Sequence, residues 1–178
     1  VYLSNINRLG NLRQAIPGKM KSQAQARISG NDWRGSIEVY GLLIQFSPTE
    51  DSYRLERARI LHRLDLHSEA LADYDDLVER NPKYGRYYAY RAKLHSDMGA
   101  PAKAIADYRQ ATYYDPRNYN GYNGLAWVLA TTRNPDVRDG KAAVEAAKEA
   151  YRMRANAYIR DTLATAYAAA GNFSAAVR

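Results

Sequence analysis

The residues best equipped for chemistry are basic and spaced on helical turns. Arg59 and Arg63 lie four apart, and Arg86 and Lys93 lie seven apart with Tyr90 between them. Such spacing gathers each set on one helix face. Guanidinium groups there would make charge-assisted, often bidentate hydrogen bonds to partner carboxylates. The plainer reading is surface charge balanced by Glu56 and Asp97. Tyrosine is the second resource: the chain has 16 Tyr, but only 2 Phe and 2 Trp. Tyr84, Tyr87, Tyr88, Tyr90, Tyr113, Tyr114, Tyr119 and Tyr122 crowd one stretch. They would stack on arginine or on bases, or fill half-buried contacts between helices. Packing is expected for the group, with Tyr90 and Tyr122 as exceptions. Trp127 reads equally as a binding anchor or as a packing residue.

Other chemistries find no support. His62, Asp65 and His67 hint at a metal site, but the two histidines straddle an expected helix end and complete no known ligand spacing. No nucleophile motif, phosphate-cradling loop or paired-carboxylate arrangement appears. With no cysteine, thiol catalysis, disulfides and cysteine-ligated zinc are excluded. The expectation is a protein that is not an enzyme and needs no metal or cofactor. The residues fit cytoplasm and periplasm alike. No apolar run approaches the roughly 20 residues of a membrane-spanning helix. The net charge is +7, and six basic residues against Asp32 alone fall within the first 34 positions. That balance fits an acidic partner, nucleic acid or a membrane surface, and equally a solvated basic face.

The elements that would position these side chains follow a fixed period. Ser68–Tyr74 (SEALADY) returns as Ala102–Tyr108 (AKAIADY), 34 residues on. Pro48, Pro82 and Pro116 share one column of that period, and Tyr40, Tyr74 and Tyr108 another. Ser36, Ala70 and Ala104 form a column of small residues, as do Ala24, Ala58 and Ala92. Small residues at fixed points mark close approach of helix backbones. Apolar residues recur around them at helical spacing. Each copy reads as helix, turn, helix and a proline-marked turn. The expected copies are 17–50, 51–84, 85–118, 119–156 with an insertion at 131–140, and a truncated 157–178. Asp139 is a good N-cap after the insertion. Arg57 and Arg91 are expected to pair structurally with Asp73 and Asp107. Before the array, 1–16 reads as a capping helix or partial repeat. Its apolar face is Tyr2, Leu3, Ile6, Leu9, Leu12 and Ile16, and Pro17-Gly18 is expected to break it. A second helix opening at Ala175 predicts that the chain belongs to a longer protein or that its tail is disordered.

These columns resemble the tetratricopeptide repeat, a 34-residue helix-turn-helix with small residues at its helix contacts and a late proline. Arg57-Ala58 and Arg91-Ala92, with Asp73-Tyr74 and Asp107-Tyr108, look like a bacterial style of it. The resemblance implies an all-α, right-handed superhelical solenoid of antiparallel helix pairs. First helices would line a groove, and the protein would be an adaptor rather than a catalyst. Carried over by position, the groove would include Lys21, Gln25, Leu55, Arg59, His62, Arg63, Arg86, Ala89, Lys93, Asn120, Asn123, Trp127, Asp161 and Thr165, with Tyr90 beside them. One family subgroup grips C-terminal carboxylates with lysine, asparagine and arginine. Gln25, Glu56 and Tyr90 stand where two asparagines and an arginine belong, so that clamp is not expected. The expected function is a scaffold holding an acidic or extended segment of another protein in a net-basic groove. RNA binding and self-assembly into a homo-oligomer are the alternatives.

Overall fold

Alanine, tyrosine and leucine at helical spacing, punctuated by capping residues and late prolines, build helices and nothing else. The computed structural model describes residues 2–176, with side chains from residue 15 onward. Among these residues there are ten helices and no strand. They are α1 (Tyr2–Ser29), α2 (Trp33–Phe46), α3 (Asp51–Arg63), α4 (His67–Arg80), α5 (Gly85–Asp97), α6 (Pro101–Tyr114), α7 (Tyr119–Thr131), α8 (Gly140–Met153), α9 (Ala157–Ala169) and α10 (Phe173–Ala176). The chain divides into two compact units, 1–73 and 74–178.

In the first unit α2 packs on α1 and α3. Its core is Ala24, Val39, Tyr40, Leu43 and Ile60, with Met20, Ile28 and Trp33 against it. Ala24 is fully buried, and the Ser36 hydroxyl donates to its carbonyl at 2.9 Å. A small residue there admits both the close approach and that bond. Arg57 donates twice to Asp73, at 2.8 and 2.6 Å.

In the second unit α5 pairs with α6 and α7 with α8, while first helices also touch in sequence, α5 with α7 and α7 with α9. The core draws on Ala92, Ala104, Tyr108, Ala126, Leu129, Ala143, Ala147 and Ala166. Tyr74 and Tyr108 are buried, so the tyrosine column is core. Arg91 donates twice to Asp107, at 2.7 and 2.8 Å, and once to Asp75 at 2.8 Å. Both expected Arg–Asp pairs are therefore present.

Two local expectations need correction. Pro17 does not break the first helix: α1 runs through it to Ser29. An interior proline costs about 3 kcal/mol. Helix formers from Lys19 to Arg27 follow it, and Met20, Ala24 and Ile28 pack on the α2 core, so burial secures the second half. The apolar face Tyr2, Leu3, Ile6, Leu9 and Leu12 lies outside the described side chains. The tyrosine exceptions also differ. Tyr84 (46%) and Tyr113 (76%) are exposed, whereas Tyr90 and Tyr122 are half-buried. Tyr84 is the N-cap of α5, and Tyr113, in the last turn of α6, meets the Tyr114 ring edge-on at 5.0 Å.

The insertion is a loop, Thr132–Asp139, with one turn in which the Val137 and Arg138 amides donate to the Asn134 carbonyl at 3.4 and 3.1 Å. Asp139 then caps α8, its carboxylate accepting from the Ala142 amide at 2.9 Å.

Candidate functional site

Arg86, Ala89, Tyr90 and Lys93 follow one another at helical intervals along α5, and Asn120, Asn123 and Gly124 do so along α7. Each set shares a face. The two faces converge on a pocket of about 270 Å³. Asn118, the N-cap of α7, stands at its edge, its side chain accepting from the Asn120 amide at 3.1 Å. Tyr108 from α6 and Tyr158 from α9 complete the lining. Three first helices thus supply the walls, and the core tyrosine of a second helix supplies the floor.

Gly124 makes this floor feasible. A Cβ there would fall 2.3 Å from Cζ of Tyr108 and 2.6 Å from its hydroxyl oxygen. The Tyr108 ring occupies the space that any other residue's side chain would need. Burial pushes the Tyr108 phenol well above its usual range, so it stays neutral.

The charge in the pocket wall is positive. Two of its lining residues are cations, Arg86 and Lys93, and none is a carboxylate. The guanidinium of Arg86 is exposed, and its pKa is raised, first by a side-chain hydrogen bond with Tyr84 and then by the nearby Tyr90 phenol. Lys93 is held by Asp97, donating to both carboxylate oxygens at 2.6 Å. The Tyr90 ring lies parallel to that of Tyr74, with centroids 6.0 Å apart.

Asn123 is the deepest polar group. It is 3% exposed, and its Oδ1 has no hydrogen-bond partner among the described residues. A buried amide oxygen in that state is an acceptor waiting for a donor.

Five residues expected for the site, Arg86, Tyr90, Lys93, Asn120 and Asn123, therefore line one pocket. Trp127, one turn beyond Asn123 on α7, is 46% exposed and is not part of that lining. The other five belong to the first unit. Lys21 and Gln25 lie one turn apart on α1, half-buried and exposed respectively. Arg59 pairs with Glu56 at 2.9 Å, and the His62 ring meets His67 edge-on at 6.1 Å. The Arg63 guanidinium lies 4.5 Å from the centre of the Trp33 ring, a cation–π contact. Arg63 thus serves α2–α3 packing as well as carrying charge.

Tyr108, Asn118, Gly124 and Tyr158 were not expected at the site. Tyr108 carried a core signal because it sits in the tyrosine column. Gly124, inside a helix, was the available sign that something approaches closely.

Stacked antiparallel helix pairs, with small residues at each crossing and a pocket open between first helices, define a helical repeat protein of the binding-scaffold class. The chain belongs to the tetratricopeptide repeat family, whose profile matches residues 21–178. It is 25% identical over 132 residues to the small glutamine-rich tetratricopeptide repeat-containing protein 2 of Mycosarcoma maydis, an alignment covering 72% of this chain and 38% of that protein. The chain spans 19–38% of the length of the curated relatives compared with it. Among solved structures it is similar to the MamA protein, with a TM-score of 0.75 at 15% identity over 94% of this chain and 87% of that one. It is also similar to YrrB, described as a TPR protein with an unusual peptide-binding site, with a TM-score of 0.66 at 12% identity over 86% and 77%. These identities carry the fold alone.

Proposed function

We propose that the chain is a non-catalytic adaptor that holds an extended, acidic segment of another protein against the α5–α7–α9 face. The observation that carries this reading is the preformed pocket lined by two cations and no carboxylate. Family membership and the peptide-binding description attached to YrrB support the same class of role. Arg86 is the principal charge contact, because Asp97 already engages Lys93. Helices on both sides fix the pocket before the partner arrives, so little ordering cost falls on this side of the interface.

RNA is the competing ligand for a basic, tyrosine-rich surface. The test is competition. A fluorescent acidic peptide is bound to the full chain and then displaced with unlabelled peptide or with poly(U). The expected result is displacement by the peptide at concentrations far below those of the RNA. Preferential displacement by poly(U), with affinity collapsing as salt rises, would transfer the site to nucleic acid.

A further inference from the structure

We infer that the pocket between α5, α7 and α9 receives a tyrosine side chain from the acidic partner segment, with its hydroxyl donating to Asn123 Oδ1. The inference rests on the peptide-binding reading and gives it a specific anchor.

Three observations select this occupant. The first is depth. Asn123 is 3% exposed and lines the pocket, and its Oδ1 lacks a partner. The group that reaches it must carry a donor at its far tip. Phenylalanine and leucine side chains have no donor, and aspartate and glutamate, ionised at neutral pH, only accept. The second is charge. Arg86 at the wall opposes lysine, arginine and protonated histidine, so the donor must be neutral. The third is shape. A cavity of about 150 Å³ takes a benzene ring, and 270 Å³ takes a phenol with room at its mouth. Tyr90, Tyr108 and Tyr158 give flat apolar faces for it. A tyrosine meets all three demands, because its donor lies at the end of the ring axis. Tryptophan carries its N–H on the ring edge and reaches less far. An aspartate or glutamate next to the tyrosine in the partner segment then meets Arg86 at the rim.

Gly124 belongs to the same device. It allows the Tyr108 ring to lie against α7 at the pocket.

The test uses the full chain and blocked acidic peptides of equal charge whose central residue is Tyr, Phe, Trp or Ala. Terminal blocking removes the free carboxylate as a source of binding. Anisotropy titration is expected to give tightest binding for Tyr, about tenfold weaker binding for Phe, and weaker still for Ala. In N123L the Tyr-over-Phe preference is expected to vanish. A melting curve confirms that N123L is folded, and the Tyr/Phe comparison on the unaltered chain stands without any variant. Equal binding of all four peptides overturns the tyrosine pocket and leaves the acidic-groove reading standing. A preference for Trp, or a Tyr preference that survives in N123L, also overturns it. Binding of none of the peptides overturns both readings.

Discussion

Arg91 and His95 sit one turn apart on α5, and both face Asp107. Arg91 makes the bidentate bond, while His95 Nε2 lies 3.8 Å from Asp107 Oδ2 at 8% exposure. The hydrogen bonds to Asp107, with a further bond to Asp75, hold the Arg91 cation far above its usual range. His95 moves the other way. Burial pushes its pKa below the ordinary histidine value, as do Arg91 and Lys103, with Asp107 and Asp75 opposing. Just below about pH 6.5 the unfolded chain therefore binds a proton that the folded chain refuses. The stability His95 contributes is fully present above that pH and drains as pH falls through it towards the depressed folded value. H95Q removes the titration. The melting temperature of the natural chain should fall more steeply than that of H95Q between about pH 7.5 and 5.5. Parallel slopes would show that His95 does not titrate in this window. Sequence alone pairs Arg91 with Asp107, because the two recur in phase with Arg57 and Asp73. It does not bring His95 to them, since that contact depends on how α5 rolls against α6.

At the scale of elements, the turns after α1, α3, α5 and α9 repeat one backbone solution, and the longer loop after α7 does not. Asn31 (φ 62°), Asp65 (φ 57°) and Gly99 (φ 71°) are left-handed and stand 34 residues apart, and Gly171 (φ 77°) closes α9 in the same manner. Left-handed backbone after a helix favours glycine, which lacks the Cβ that crowds the carbonyl there. Asp65 retains only a 3.4 Å contact with His67 and is 89% exposed at its side chain. D65G should therefore stabilise the chain, by about 0.5–1 kcal/mol. Chemical denaturation would measure this, and a loss of stability would mean that the Asp65–His67 contact outweighs backbone strain. The helix pairs and their turns were legible because four residue columns keep the period. Pro17 was misread because a local breaker rule ignores the burial of Met20, Ala24 and Ile28. The pocket was half legible. Arg86, Tyr90, Lys93, Asn120 and Asn123 share faces by spacing within single helices. Tyr108 and Tyr158 arrive from other helices, and only packing brings them in.

For the whole molecule, the net charge of +7 gives a long-range bias toward acidic partners. On the proposed reading the local pocket then sets what is held. Several formal cations are answered nearby: Arg59 by Glu56, Lys93 by Asp97 and Lys148 by Glu145. Exposed pairs of this kind contribute between about 0 and 1 kcal/mol each, so they shape the field more than the fold. Arg86 differs, because its side-chain partners are the tyrosines Tyr84 and Tyr90, which leave its charge uncancelled. On the proposed reading, this one wall of the second unit recognises acidic segments through Arg86. Calorimetric titration of the 178-residue chain with a blocked acidic peptide, alongside its R86E variant, tests that claim most directly. The predicted result is affinity at least about tenfold weaker in R86E, with an unchanged melting temperature. Equal affinity in the two proteins would contradict it.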